Sequence, residues 1–299
     1  MPHTEAIHSA LRSAGITPAL RTTSTLSADA HQQVIALTLD DGSSLVAKIT
    51  PHDAGDRLHA EADSLRALSK PGILLVPRVH ALCDTNAHTV LLMDKLEHAP
   101  RADDSTWATF GRDLAAHHQA TPLALFGWSR NNFLGPTPQP NAQTDDWVDF
   151  NATSRIGYQL ELAKTHGRLT ARESEPLQRV IDRLPDLIPR HPAPALIHGD
   201  LWSGNAIATL DPDTNTPRIA VIDPAVSIGD PWADIAMMQL FGGFPKPCLD
   251  AYILANPDHD RLESRIGVYQ LYHMLNHLNI FGTSYKHSAL SIAQQLLAL

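Results

Sequence analysis

Hydrophobic and polar positions fall into short blocks over the first ~95 residues and into longer helical periods after them. Gln33 to Leu39 and Ser44 to Thr50 alternate or run apolar around Asp40-Asp41-Gly42, a strong hairpin signal. Lys48 therefore belongs to the second strand of a hairpin. Glu5 to Ser13 reads as a short helix. His59 to Leu68 puts Ala62, Leu65 and Leu68 on one helical face and Glu61 on the adjacent one, from which its carboxylate could reach Lys48. Val79 to Cys83 and Thr89 to Met93 form a second strand pair ending in Met93-Asp94-Lys95-Leu96, a candidate hinge. Beyond it the texture changes. Trp107 to Thr121, Asp146 to Lys164, Asp234 to Phe241 and Glu263 to Ile280 have helical patterns, and Pro136-Thr-Pro-Gln-Pro140 interrupts the first two. The expected fold class is α+β, with a small β-rich lobe over residues 1–95 and a larger, mainly helical lobe over residues 96–299.

Composition narrows the function. A chain of 299 residues with 43% hydrophobic content can bury a substantial core as one large domain or two lobes. Its mean hydropathy of -0.16 fits a soluble protein. The formal charge of -9, from 23 Lys and Arg against 32 Asp and Glu, lacks the basic footprint of a nucleic-acid binder and favours a small-molecule partner. Cys83 and Cys248 form neither a C-x-x-C pair nor a disulfide framework, which favours a reducing, cytoplasmic setting. His3, Glu5, His8 and Arg12 interrupt the apolar residues of the N-terminus, so no signal-peptide core is expected there, and no apolar run reaches membrane-spanning length. The sequence carries no repeat or low-complexity tract, and oligomeric state is left open.

Candidate chemistry concentrates in Leu196-Ile-His-Gly-Asp-Leu-Trp-Ser-Gly-Asn205 and Ile219-Ala-Val-Ile-Asp-Pro224. Asp200 and Asn205 have the D-x-x-x-x-N spacing of a kinase catalytic loop, in which the Asp orients the acceptor hydroxyl and the Asn binds a metal. Asp223 lies 23 residues after Asp200 (223 − 200), room for a short β-hairpin between them, and would supply a second metal-binding oxygen group. Two strands are expected to present these acids side by side. A lone His-Gly-Asp is usually a turn, a lone strand lysine usually solvated and a lone helical glutamate usually a surface acid. Their combination is what points to phosphoryl transfer.

The chain resembles the fructosamine kinase (ketosamine-3-kinase) family. The resemblance is carried by His198-Gly-Asp-Leu-Trp-Ser-Gly-Asn205, Asp223-Pro-Ala225, Leu240-Phe-Gly-Gly-Phe244 and Leu271-Tyr-His-Met-Leu-Asn-His-Leu-Asn-Ile-Phe-Gly282, with Phe126-Gly-Trp-Ser-Arg-Asn-Asn-Phe-Leu-Gly135 and Thr137-Pro-Gln-Pro-Asn141. It runs from about Lys48 to about Gly282. It implies a two-lobed protein-kinase-like fold, shared with aminoglycoside phosphotransferases, and ATP-dependent phosphorylation of the 3-hydroxyl of a ketoamine. Fructosamine, ribulosamine or a glycated amino acid or protein would be the acceptor, in repair of glycated amines. By motif position Asp200 would accept the hydroxyl proton. Asn205 and Asp223 would hold Mg2+. Lys48 would contact the α- and β-phosphates, held by Glu61, and Met93, Asp94, Lys95 and Leu96 would border the nucleotide. The resemblance also implies that Asp234 holds the catalytic-loop backbone and that Trp202 touches the substrate, although Trp202 could equally be a packing aromatic. His198 reads as a brace for the loop. Tyr272, His273, Asn276, His277 and Asn279 read as polar residues of a core helix, with substrate contact by His273 as the alternative.

Two departures from the family pattern stand out. Thr22-Thr-Ser-Thr-Leu-Ser-Ala-Asp-Ala-His-Gln-Gln33, where a phosphate-covering loop is expected, contains no glycine, so Ser24, Thr25 or Ser27 hydroxyls would have to compensate. Asp230-Pro-Trp-Ala-Asp234 carries Trp232 where the family more often has Asp-Arg-Glu-x-Asp, which alters the neighbouring wall. A kinase of another small hydroxyl compound, of aminoglycoside- or choline-kinase type, and a nucleotide-binding pseudokinase remain as alternatives.

Overall fold

The computed structural model describes residues 3–29, 32–97, 99, 102–120 and 124–299. The chain divides into two compact units, Met1–Ala102 with Ile207–Pro224, and Asp103–Ala206 with Ala225–Leu299.

In the first unit α1 (Thr4–Ser13) is followed by β1 (Leu20–Ala28), β2 (Gln33–Leu39), β3 (Ser44–Pro51), α2 (Asp56–Ser69), β4 (Val79–Asp84) and β5 (His88–Asp94). The strands form a five-stranded sheet in the order β1-β2-β3-β5-β4. Gly42, at φ 87, closes the β2–β3 turn that Asp40-Asp41-Gly42 predicts. Because side chains alternate across a strand, the sheet has two apolar faces. Ile35, Leu37, Ala47, Ile49, Val90 and Leu92 pack with Ile7, Ala10 and Leu11 of α1. Leu91 and Met93 pack with Leu58, Ala62 and Leu65 of α2.

The run from Thr22 toward Gln33 is mostly a strand. Thr and Ser suit an exposed edge strand, and β1 pairs with β2 although it is solvated along most of its length. Ala30 and His31 of this run lie outside the described residues. Register decides which hydroxyls face Lys48. Ser27 pairs with Val34, the partner of Lys48, and Ser24 pairs with Ala36, the partner of Val46, so Ser24 and Ser27 share the Lys48 face. Thr25 pairs with Ile35 and points to the α1 face, so it cannot compensate for a missing glycine as expected.

The second unit begins with α3 (Asp104–Gln119), capped by Asp103, which accepts a hydrogen bond from the Thr106 amide at 2.8 Å. That cap starts the helix three residues before the expected Trp107; its expected end, Thr121, lies outside the described residues. A hairpin of β6 (Asn132–Leu134) and β7 (Thr137–Gln139) precedes α4 (Trp147–Phe150), a π-helical turn (Asn151–Arg155) and α5 (Ile156–Thr165). The sequence predicted one continuous helix here. The wide turn instead directs the Arg155 guanidinium inward, where it donates to the Pro140 carbonyl and to Asn141 Oδ1, both at 2.7 Å. Then come α6 (Ala171–Asp182), α7 (Leu184–Leu187) and β8 (Ala195–Ile197).

The hairpin β9 (Ala206–Leu210) and β10 (Pro217–Val221) follows, and Ile207–Pro224 groups with the first unit, unlike the contiguous division at residue 95. Long-range bonds explain this: Val221 donates to the Leu75 carbonyl at 2.9 Å, Arg218 to the Ile73 carbonyl at 2.8 Å, and Thr209 to the Glu97 carbonyl at 2.5 Å. Met93–Leu96 lies inside this unit, and the chain leaves it after Ala102. The remaining elements of the second unit are β11 (Ser227–Gly229), α8 (Trp232–Leu240), α9 (Lys246–Ala255), α10 (Leu262–Phe281) and α11 (Lys286–Ala298). Among the described residues no helix is long and apolar enough to cross a membrane.

Candidate active site

The residues singled out in the sequence fall into both units. In the first, β3 carries Lys48 into the interior, where it is only 6% exposed. The apolar face of α2 anchors that helix on the sheet, which turns Glu61 toward Lys48. Lys48 Nζ bonds Glu61 Oε1 at 2.6 Å and also donates to Asp223 Oδ1. Burial opposes the Lys48 charge, but Glu61 and then Asp223 outweigh it and raise its pKa, so the ammonium stays protonated. Burial pushes Glu61 above the usual carboxylate range, partly opposed by Lys48 and reinforced by Asp223. Asp223 follows β10 in the left-handed region at φ 55, and its side chain is 48% exposed. One oxygen therefore meets Lys48 while the carboxylate keeps an open side.

Of Met93, Asp94, Lys95 and Leu96, the first two have side-chain partners within the first unit. Strand alternation buries Met93 against α2. Asp94 Oδ2 accepts from the Arg78 amide at 3.0 Å and Oδ1 meets His80 Nε2 at 2.6 Å. Lys95 is exposed and Leu96 half-buried.

In the second unit, β8 pairs with β11 and leads into the catalytic loop. The strand before Asp223 pairs instead with β9, so the two acids follow strands of different two-stranded sheets and not neighbouring strands of one. Gly199 sits at φ 80, and a Cβ there would lie 2.2 Å from the Ala225 carbonyl oxygen, which excludes any larger residue. Asp234, fully buried on α8, accepts from the His198 amide at 2.8 Å and the Gly199 amide at 2.9 Å. This is the backbone bracket that the family resemblance implied. Behind it His118 Nε2 lies 3.2 Å from Asp234 Oδ2, and His118 Nδ1 lies 2.9 Å from the Tyr252 hydroxyl. Burial raises the Tyr252 pKa, so the phenol stays protonated beside His118. Burial alone would raise the Asp234 pKa, but the His118 hydrogen bond and the neighbouring His118 and His198 outweigh it and hold it below the usual value.

His198 braces the loop as expected, accepting at Nδ1 from the Asp200 amide at 3.3 Å. Asn205 Nδ2 donates to the Asp200 carbonyl at 2.9 Å and reaches its Oδ2 at 3.4 Å. With its NH2 so engaged, the amide presents Oδ1 as its remaining group. Asn205 in the second unit and the half-exposed Asp223 in the first each present a hard oxygen donor of the kind Mg2+ takes. Among the described residues no group of three or more His, Cys, Asp and Glu could hold a metal ion. Trp202 is 41% exposed, and its ring lies so close over Gly204 that an added Cβ would meet it at 2.2 Å.

His273 is 3% exposed, burial pushes its pKa down to about 3, and its Nδ1 has no hydrogen-bond partner. It lines a small internal cavity of about 30 Å³ with Arg155, Gly199 and Tyr272. Asn276 and Asn279 are also buried, with Asn279 Nδ2 bonding Gln159 Oε1 at 2.8 Å. Trp232 is core: it is 1% exposed and donates from Nε1 to the Asp258 carbonyl at 2.7 Å. Sequence reasoning missed the His118–Tyr252 support and the buried pair of Asp230 with Arg265, bonded at 2.8 and 2.9 Å. An arginine within the apolar period of Glu263 to Ile280 was the signal for the second; nothing local marked the first.

A fructosamine kinase family model matches residues 5–299. A probable ketoamine kinase of Synechocystis is 40% identical over 241 residues, covering 80% of this chain and 78% of that protein. The crystal structure of a candidate fructosamine-3-kinase from Thermobifida fusca aligns with a TM-score of 0.86 at 29% identity over 99% of each chain. An amicoumacin kinase aligns with a TM-score of 0.61 at 16% identity, over 98% of this chain and 93% of that one, a likeness of fold alone. The fold is α+β and protein-kinase-like, and the chain belongs to the fructosamine kinase family of phosphotransferases.

Proposed function

We propose that the protein transfers the γ-phosphoryl group of ATP to the 3-hydroxyl of a ketoamine, a fructosamine or ribulosamine, and thereby serves repair of glycated amines. The observation that carries the phosphoryl-transfer reading is the buried Lys48–Glu61 pair at 2.6 Å. A strand lysine held protonated and oriented by a helix glutamate suits nucleotide phosphates. The Asp200–Asn205 loop, bracketed by Asp234, supports the other half of the reaction. The ketoamine assignment leans on the curated relatives described as probable ketoamine kinases.

In this reading Asp200 orients the acceptor hydroxyl and takes its proton as the oxygen attacks phosphorus, while ADP leaves. Lys48 contacts the α- and β-phosphates. Asn205 Oδ1 and Asp223 would hold Mg2+, which when bound neutralises charge on the transferring group. Lys95 and Leu96 would border the nucleotide, and Trp202 would lie against the sugar. Such transfer is mostly positioning and charge stabilisation, which fits a site whose key groups are fixed by buried partners.

The test is turnover. Purified protein with Mg-ATP is expected to phosphorylate synthetic ketoamines, and product analysis should place the phosphate on O3. Asp200→Asn should lower kcat by roughly 10²- to 10⁴-fold while ATP still binds. No phosphorylated ketoamine across several sugars and amines would end the substrate assignment, and undiminished turnover in the variant would end the role of Asp200.

A further inference from the structure

We propose that an exposed aromatic strip of the second unit, formed by Phe241, His277, Phe281 and Tyr285, is the subsite for the amine-derived half of the ketoamine, and that it selects amines bearing an aryl or long apolar group. The inference rests on the ketoamine reading and deepens it.

The four rings form one cluster. Phe241 lies 4.9 Å from His277 between centroids, His277 lies 5.4 Å from Phe281 and 5.2 Å from Tyr285, and Phe281 lies 5.8 Å from Tyr285. Phe241 is 44% exposed and Phe281 61%, and with Trp202 they are the exposed Phe and Trp side chains among the described residues. Aromatic rings left in water as a contiguous group mark a binding surface more often than isolated apolar residues do.

Its position relates it to catalysis. Phe241 ends α8 and opens Phe241-Gly-Gly-Phe244, in which Gly243, at φ 92, approaches Ser203 so closely that a Cβ would meet Ser203 Oγ at 2.5 Å. Ser203 belongs to the catalytic loop, three residues after Asp200. Phe244 pins the far end of this turn, with centroids 5.7 Å from Trp107 and 6.5 Å from Phe110. The strip therefore begins within two residues of a contact on the catalytic loop, at most ~7 Å of chain. In a ketoamine the nitrogen is four bonds from O3, through C3, C2 and C1, roughly 5 Å in extended form. The strip thus adjoins the loop that carries Asp200, and an acceptor whose O3 meets Asp200 extends its amine substituent from that loop.

The chemistry of the strip suits that substituent. His277 Nδ1 lies 2.8 Å from the His273 carbonyl oxygen, which can only accept, so Nδ1 carries the proton and Nε2 offers a lone pair. Burial lowers the His277 pKa, which favours this neutral form. Lys286, beside Tyr285 in sequence, is paired with Glu173 at 3.0 Å. The surface thus offers ring faces, one imidazole acceptor and the Tyr285 hydroxyl. Ring faces attract C–H edges and ammonium groups, and Nε2 can accept from an N–H.

The experiment compares ketoamines of one sugar built on methylamine and on benzylamine. For the wild-type chain kcat/KM should favour the benzyl compound by about tenfold, and Phe281→Ala and Phe241→Ala should each cut that ratio by about fivefold. Phe281→Leu, which keeps apolar bulk on a largely exposed position, should give an intermediate ratio and guards against misfolding as the cause. Equal kcat/KM for the two compounds in the wild type, or an unchanged ratio in the alanine variants, overturns the subsite and leaves the kinase reading standing. Failure to phosphorylate either compound, repeated with several sugars, overturns the ketoamine reading, and the subsite falls with it.

Discussion

Asp234→Asn tests the proposition that a buried carboxylate, not the catalytic loop's own sequence, fixes the loop. Asp234 Oδ1 accepts from Gly199 and Oδ2 from both His198 and His118. Asparagine retains one accepting oxygen. Its least costly orientation keeps the two bonds at the Oδ2 position and turns NH2 toward the Gly199 amide, leaving a buried donor unsatisfied at a cost of ~1–3 kcal/mol. The two surviving bonds lose their charge assistance, which is roughly half their strength. The expected loss of stability near neutral pH is about 2–4 kcal/mol, read from chemical denaturation, with accelerated exchange of the Gly199 and His198 amides.

The pH dependence supplies a sign. Because the folded-state pKa of Asp234 is depressed, its stabilisation is complete above the unfolded-state value, ~3.9, and is lost as pH falls through the lower folded-state value. The gap between wild type and variant should be full at neutral pH and shrink only in acid below that range. A neutral-pH gap under about 0.5 kcal/mol, or one that does not shrink in acid, would refute the reasoning, since surface substitutions alone produce effects that small.

Gly199→Ala should cost about 2–4 kcal/mol in denaturation, combining left-handed backbone strain with displacement of the Ala225 carbonyl, and should reduce kcat as the loop shifts. Arg265→Met should cost ~3–5 kcal/mol by leaving Asp230 buried and unpaired. A double variant that also carries Asp230→Leu should recover part of that loss, and absence of any recovery would argue against charge burial as the cause.

The readable parts of the site were those fixed by local period. Strand alternation through β3 and the spacing of Ala62, Leu65 and Leu68 were enough to set Glu61 against Lys48, because each element's buried face dictates where its polar residue points. The Asp200 loop stood out for another reason: its D-x-x-x-x-N spacing matches that of a kinase catalytic loop. Features that depend on distant partners were not. β1 looked like a loop because its Ser and Thr residues lack an apolar face, and only pairing with β2 makes it a strand and turns Thr25 away from Lys48. Ile207–Pro224 joins the first unit through carbonyls at Ile73, Leu75 and Glu97, more than a hundred residues away in sequence.

This difference bears on how the catalytic residues are held. Lys48, Asp200 and Asn205 are each fixed by a partner that is itself buried or built into the backbone: Glu61 on α2, Asp234 beneath His198 and Gly199, and the Asp200 carbonyl that receives Asn205 Nδ2. Asp223 differs, since its left-handed backbone conformation follows directly from a strand, β10, that is tethered to the Leu75 carbonyl. Long-range pairing thus places its backbone, and Lys48 holds one of its carboxylate oxygens. About half of the Asp223 side chain stays exposed beside its ion pair with Lys48, whereas the Asp200 loop is held by hydrogen bonds to its backbone. The two carboxylates are thus supported differently, one by a buried lysine and a tethered strand, the other by a loop whose backbone is bracketed.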